Sequence, residues 1–287
     1  MSAPGAADVR VITTPAEMSA WSDAARARGE RIAFVPTMGY LHAGHVALLE
    51  EGRRRGERLV LSIFVNPTQF GPNEDLSRYP RDLPGELAKA TAASTDVAFV
   101  PEPAGMYPSG HQTTVQVHTL EQGLCGATRP GHFVGVATVV CKLFNIVRPH
   151  VTVFGEKDFQ QLAVIRRMVR DLDMPVEIVG LPTVREPDGL AMSSRNKFLS
   201  PDERQRAVAL SRALHTARAA CQSGQRNVAT LLAAAEATIA PEVTRLQYLE
   251  VRDAETLQAI STVDRPAVMA VAAFLGQTRL IDNVRLG

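Results

Sequence analysis

Two histidines three residues apart follow directly on a short apolar run in Phe34-Val35-Pro36-Thr37-Met38-Gly39-Tyr40-Leu41-His42-Ala43-Gly44-His45. Residues 31–35 have the character of a buried strand, Pro36 and Gly39 break it, and Val46-Ala47-Leu48-Leu49-Glu50-Glu51 favours helix. The segment therefore reads as strand, tight turn and helix. Residues three apart share a helix face, which sets His42 and His45 together in the first turn, where unpaired backbone N–H groups and the helix dipole attract phosphate. Gly44 lets a ligand approach the backbone closely. The same pair could merely cap the helix or face solvent, and zinc is disfavoured because no Cys or carboxylate cluster stands nearby. Its position between strand and helix favours the phosphate-binding use.

Three other segments offer chemistry. Ile63-Phe64-Val65-Asn66-Pro67-Thr68-Gln69-Phe70 is a strand running into a proline turn, which places the Gln69 amide, both donor and acceptor, at the strand's carboxyl end. That suits a small polar substrate, and equally suits Asn and Gln that only stabilise the turn. Gly155-Glu156-Lys157-Asp158-Phe159-Gln160-Gln161 repeats the strand-to-helix geometry. Lys157 could neutralise phosphate, and Asp158 could hold a ribose hydroxyl or act on a metal-bound water, unless the turn is only a solvated charged one. Met192-Ser193-Ser194-Arg195-Asn196-Lys197 by itself reads as a polar hinge. Downstream of an H-x-G-H unit, its hydroxyls and planar guanidinium are what in-line attack on an α-phosphate calls for, because charge builds up at the transferring phosphorus.

The elements that must position these groups alternate between strand and helix, the pattern of a parallel sheet covered on both faces. A capping box, Thr14-Pro15-Ala16-Glu17, opens a first helix that ends at Gly29 and leaves Trp21 in the core. Further strands read at 58–65, 96–100, 151–154 and 176–180, with a helix at 133–147, giving an α/β Rossmann-like domain over 1–183. In such sheets ligands bind at the carboxyl ends of the strands. A turn-rich connector from Val184 leads to a smaller α+β domain over 184–287, with Ala-rich helices at 201–221 and 227–239 and an antiparallel sheet from 246–251, 267–274 and 278–284.

Composition permits this. The 287 residues are 45% apolar, and 31 basic against 30 acidic side chains leave no bulk attraction to nucleic acid or anionic lipid. A small-molecule substrate is expected. The stretch from Met1 to Asp8 lacks the features of a signal peptide and no apolar run reaches membrane-spanning length, so a cytoplasmic location is expected. Cys125, Cys141 and Cys221 are odd in number and scattered, which fits reduced thiols.

Taken together, Pro36-Thr37-Met38-Gly39 with His42-x-Gly44-His45, Phe64-Val65-Asn66-Pro67-x-Gln69-Phe70, Tyr79-Pro80-Arg81, Gly155-Glu156-Lys157-Asp158-x-Gln160-Gln161 and Met192-Ser193-Ser194-Arg195 resemble, in order, the motifs of the pantoate:beta-alanine ligase family. The resemblance spans about residues 34–200. It implies that pantoate attacks the α-phosphate of Mg-ATP to give an adenylate, from which beta-alanine displaces AMP. It also implies a homodimer whose small C-terminal domain covers the active site. By the same resemblance, ATP is bound by Met38, Gly39, Tyr40, Leu41, His42, Ala43, Gly44, His45, Gly155, Glu156, Lys157, Asp158, Val184, Met192, Ser193, Ser194 and Arg195. Gln69 holds pantoate and beta-alanine, and Gln161 holds pantoate. His45 is the implied proton donor to phosphate with His42 beside it, and Lys157, Ser193, Ser194 and Arg195 are the implied transition-state stabilisers. The chain departs from the family pattern at Ala43, Tyr40 and Thr68, none of which removes a group the chemistry needs. Glu86 falls near the place of an Asp associated with magnesium, in a segment that aligns poorly, so the metal ligands stay unassigned. Another H-x-G-H nucleotidyltransferase acting on a phosphate ester is the main alternative; an aminoacyl-tRNA synthetase would need a basic patch for tRNA.

Overall fold

The computed structural model describes residues 8–72, 74 and 76–287, and of Arg78 the backbone only. All but Asp8 of the N-terminal stretch read above for a leader lies outside the described residues. In chain order the elements are β1 (Arg10–Ile12), α1 (Pro15–Ala27), β2 (Ile32–Thr37), α2 (Ala43–Arg55), β3 (Arg58–Ile63), α3 (Leu83–Ala92), β4 (Val97–Phe99), α4 (Pro103–Met106), α5 (Leu124–Thr128), α6 (His132–Val147), β5 (Val151–Gly155), α7 (Phe159–Asp171) and β6 (Glu177–Leu181). They continue as α8 (Pro201–Arg206), α9 (Val208–Gln222), α10 (Val228–Ile239), β7 (Arg245–Asp253), β8 (Ala267–Leu275) and β9 (Thr278–Leu286). The described residues form two compact units: those up to 117, 129–156 and 164–182 make the first, and 118–128, 157–163 and 183–287 the second.

The first unit is built on a six-stranded parallel sheet in the order β1-β4-β3-β2-β5-β6. Ile32, Ala33, Phe34 and Val35 are fully buried, as a central strand covered on both faces requires. The chain moves from β2 through β3 and β4 to one side, and resumes on the other side with β5 and β6. The order thus reverses between β2 and β5, where a doubly wound sheet opens a ligand crevice at its carboxyl edge.

Two local expectations in the first unit are corrected, and one short strand goes unread in the sequence. Strand β2 does not stop at Pro36 but runs on to Thr37. Its ladder to β5 involves only Ala33 and Phe34, so the missing proline N–H removes no bond on that side. Strand β1 escapes the hydrophobic pattern because it is a three-residue edge with Val11 exposed. Trp21 is not core. On α1 the buried stripe is Met18, Ser22 and Ala25, and Trp21, one step off that stripe, is half-buried and lines an open cleft with Arg10, Glu17 and Arg28.

In the second unit β7, β8 and β9 form an antiparallel sheet. Gly276, with φ +55°, and Gln277 make the two-residue turn between β8 and β9. Leu210, Leu214 and Ala217 of α9 and Leu231 and Ala235 of α10 bury one sheet face through Met269, Val271, Ala273, Leu280 and Val284. The single helix expected over 201–221 is interrupted at Ala207, where the turn tightens and the Leu210 N–H bonds the Ala207 carbonyl at 3.2 Å. Among the described residues no helix is long and apolar enough to cross a membrane.

Candidate active site

Because β3, β2 and β5 are adjacent and parallel, the segments that follow them leave the first unit's sheet at one edge. After β2 the backbone turns through Gly39 and Tyr40, both left-handed, with φ +88° and +52°. The buried Glu86 carboxylate braces this turn by accepting the Tyr40 N–H, and a Cβ on Gly39 would lie 2.7 Å from its Oε1. A tyrosine held in a left-handed conformation costs of order 1–2 kcal/mol, so the turn depends on such a brace.

His42 is then the N-cap of α2 and His45 its third residue, and the two complete a reciprocal capping box. His42 Nδ1 accepts from the Gly44 N–H at 3.1 Å, and His45 Nδ1 accepts from the His42 N–H at 3.3 Å. A neutral imidazole that accepts at Nδ1 carries its proton on Nε2. The caps thus place the ring proton of each histidine on Nε2, at the positive end of a helix. The rings lie 4.1 Å apart.

The loop after β3 forms a single 3-10 turn, Pro67–Gln69, opened by Asn66. Gln69 is buried, its Oε1 accepting from Asn66 Nδ2 at 3.1 Å and its Nε2 lying 3.1 Å from Met38 Sδ. Asn66 in turn accepts from the Tyr107 hydroxyl at 2.8 Å and the Thr68 hydroxyl at 2.9 Å. Burial pushes the Tyr107 phenol up in pKa, against the Thr68 hydrogen bond, which keeps it a neutral donor. Behind Gln69, His132 Nδ1 contacts its backbone carbonyl at 2.8 Å, and Arg129 Nη1 contacts His132 Nε2 at 3.0 Å. Arginine can only donate, so Nδ1 of His132 carries the proton given to the Gln69 carbonyl. Arg129 also pairs with Glu74 at 2.6 Å; burial works against that carboxylate's charge, but the arginine holds its pKa below the usual range.

The strand β5 ends at Gly155, where an added Cβ would meet nothing within 4 Å. Of the turn that follows, Glu156 lies in the first unit, and Lys157, Asp158 and Gln161 lie in the second. Within the second unit, Gln160 is buried and donates to the Leu120 and Gly123 carbonyls at 3.0 and 3.1 Å. The Val184 carbonyl accepts the Met192 N–H at 3.0 Å, which closes a hairpin whose outgoing arm leads into the 3-10 turn Ser194–Phe198. Ser193 caps that turn, its hydroxyl accepting the Arg195 N–H at 3.2 Å, and Ser194 and Arg195 are half-buried beside it.

A family model described as pantoate-beta-alanine ligase matches residues 10–285. The chain belongs to that family. The pantothenate synthetase of Myxococcus xanthus (strain DK1622) is 55% identical over 280 residues, 96% of this chain and 96% of that protein. That of Anaeromyxobacter dehalogenans (strain 2CP-C) is 57% identical over 283 residues, 96% of this chain and 98% of the relative. A crystal structure of pantothenate synthetase from Thermus thermophilus matches with a TM-score of 0.90 at 49% identity, covering 96% of this chain and 99% of that one. The pantoate-beta-alanine ligase of Francisella tularensis, crystallised with beta-gamma ATP and beta-alanine, matches with a TM-score of 0.79 at 31% identity, covering 96% and 97%.

In this ligase the residues singled out by sequence fall into two sets. Met38, Gly39, Tyr40, Leu41, His42, Ala43, Gly44, His45, Gln69, Gly155 and Glu156 belong to the first unit; Lys157, Asp158, Gln161, Val184, Met192, Ser193, Ser194 and Arg195 belong to the second. Sequence reasoning missed the groups that hold the Gln69 turn, namely Tyr107 through Asn66, and Arg129 and His132. Each is distant in the chain from the turn it supports, and Arg129 and His132 stand in Thr128-Arg129-Pro130-Gly131-His132, whose Pro and Gly mark only a loop.

Proposed function

We propose that this ligase condenses (R)-pantoate with beta-alanine to pantothenate through a pantoyl adenylate, releasing pyrophosphate and then AMP. The observation that carries the residue assignment is the strand order: it brings the His42/His45 capping box, the buried Gln69 amide and the open Gly155 to one edge of a parallel sheet. A carboxylate is a poor electrophile, and joining it to AMP supplies a leaving group without an enzyme nucleophile. Catalysis then rests on positioning and on charge stabilisation.

In this reading Met38, Gly39, Tyr40, Leu41, His42, Ala43, Gly44 and His45 hold ATP, with the Nε2–H of His45 given to phosphate and that of His42 beside it. Gln69 receives pantoate and later beta-alanine, its amide already oriented by Asn66; Gln161 receives pantoate. Gly155, Glu156, Lys157, Asp158, Val184, Met192, Ser193, Ser194 and Arg195 serve the nucleotide, and Lys157, Ser193, Ser194 and Arg195 meet the charge that develops on phosphorus. The working domains are 1–183 and 184–287, the protein acts as a cytoplasmic homodimer, and its partners are small molecules only.

Magnesium would accompany ATP. Among the described residues no group of three or more His, Cys, Asp and Glu side chains is placed to hold a metal. Magnesium at nucleotide sites usually keeps several waters and takes its remaining oxygens from phosphate. The exposed Asp158 is a carboxylate that would suit such a water shell. When bound, the ion would neutralise phosphate charge.

Product analysis tests the reading. AMP should form one for one with pantothenate, and only when ATP, pantoate and beta-alanine are all present. Turnover with a phosphate ester in place of pantoate would instead support the other class of H-x-G-H nucleotidyltransferase.

A further inference from the structure

Strand β9 presents two faces within the second unit. Leu280, Val284 and Leu286 enter the core against α9 and α10, and Asp282 shares their side; Asn283 and Arg285, out of step by one, lie on the other. On that other face the buried Asn283 donates from Nδ2 to the Lys157 carbonyl at 2.8 Å, and the Arg285 guanidinium sits 5.3 Å from the centre of the Phe159 ring. One strand thus grips the chain on both sides of Asp158. A carbonyl only accepts, so the amide nitrogen is the group that must face it.

The core-side neighbour completes the link. Buried Asp282 takes a two-pronged bond from Arg185, at 2.7 and 2.9 Å, and its Oδ1 also accepts the Asn283 N–H at 2.7 Å. Arg185 lies next to Val184 in the hairpin that leads to Ser193, bridges to Ala191, and donates to the Gly189 carbonyl at 3.1 Å. Asn196 extends the same brace, its amide donating to the Ala191 carbonyl at 3.1 Å. The hairpin, closed by the Met192 N–H on the Val184 carbonyl, and the bonds of Arg185, Asp282 and Asn283 therefore link the Ser193–Arg195 loop to the backbone of Lys157.

We propose that Asn283 is a positioning residue for Lys157, and that the Asp282-Asn283 pair sets the spacing between the Lys157 turn and the Ser193–Arg195 loop. The inference rests on the reading of Lys157 as a phosphate-charge stabiliser. A side chain needed only for packing would not have to be a donor. A donor fixed on the Lys157 carbonyl restrains the backbone from which the ammonium group is projected, so its loss should weaken transition-state stabilisation more than ATP binding.

The test is pantoate-dependent exchange of radiolabelled pyrophosphate into ATP, followed in the full chain with Asn283→Asp, Asn283→Ala and Lys157→Gln, and with each Asn283 variant combined with Lys157→Gln. Asn283→Asp keeps the shape and removes the donor; Asn283→Ala is the second variant should the first not fold, and thermal denaturation reports folding of each. The expected result is a fall in exchange kcat on the order of 10- to 100-fold with KM for ATP nearly unchanged, and less than about a twofold further change when the Asn283 substitutions are added to Lys157→Gln. Equal losses in both backgrounds, or wild-type exchange in both Asn283 variants, would overturn the inference while leaving the role of Lys157 intact. Wild-type exchange in Lys157→Gln would overturn the assignment of Lys157 and the inference with it.

Discussion

Replacing Gly135 by alanine drives a methyl group into the turn that carries Gln69. Gly135 lies in the first turn of α6, its carbonyl accepting from the Asn66 side chain at 3.1 Å. A Cβ built on it stands 2.5 Å from the Thr68 carbonyl oxygen, 2.7 Å from the carbonyl carbon and 2.8 Å from Gln69 Cα. All three are backbone atoms, so no rotamer change relieves the clash; reaching ordinary contact at 3.4 Å requires the turn to move by about 0.9 Å. Two energies oppose each other in stability. Alanine within a helix gains roughly 0.5–1 kcal/mol over glycine, whereas overpacking costs typically ~1–3 kcal/mol. Overpacking wins, with a net loss of about 1–2 kcal/mol and a lowering of Tm of the order of 2–8 °C. The effect on rate should be larger, because a misplacement of about 1 Å in a substrate-positioning group can cost on the order of 100-fold. The assay is kcat/KM for pantoate beside a thermal denaturation curve. A variant that folds, loses stability and still turns over pantoate at the wild-type rate would refute the assignment of Gln69.

Three more outcomes follow from the same structure. His45→Ala should reduce adenylate formation by ~10²–10⁴-fold and cost only ~0.5–1 kcal/mol of stability; His45→Gln, which keeps an acceptor for the His42 N–H, should recover the stability and not the rate, and recovery of both would remove the proton-donor role. His150 and His215 have pKa values lowered chiefly by burial and then by neighbouring arginines, Arg26 and Arg31 for the one and Arg185 and Arg218 for the other. A base whose folded pKa lies below its unfolded value contributes stability in full above about pH 6.5 and loses it as the pH falls further, so the urea midpoint should drop between pH 7 and 5, and drop less in His150→Phe; identical slopes would contradict this. Burial opposes the charge of the Asp253 carboxyl, yet the Thr256 N–H, Arg265, the Thr256 hydroxyl and the Glu255 N–H hold its pKa at about 2. Its contribution is therefore present above the unfolded value near 3.9 and lost as the pH falls toward 2, and Asp253→Asn should flatten the acid limb of the stability curve, an unchanged limb counting against the ion pair with Arg265.

The parts of the site legible in the sequence are those whose cause is local. The break after Phe34-Val35, the two histidines and the helix formers after them specify strand, turn and helix within a dozen residues, and the capping box that results needs nothing from elsewhere in the chain. Asn66 shows the limit of that reading. Its turn-stabilising role is visible from Asn-Pro, but its bonds to Tyr107 and the Gly135 carbonyl depend on tertiary placement. The same holds for Glu86, which braces the Tyr40 turn from a helix 46 positions away, and for Asp282 and Asn283, which read in isolation as polar residues in a strand. Trp21 fails for a related reason: its size suggests core, whereas its angle on α1, one step from Met18, Ser22 and Ala25, leaves it half-buried.

Pyrophosphate exchange into ATP, with pantoate and magnesium present and beta-alanine absent, tests the central claim most directly, because only a reversible adenylate permits it. The account predicts exchange that depends on pantoate and falls sharply in His45→Ala. Absence of exchange in a folded sample that binds ATP would contradict it.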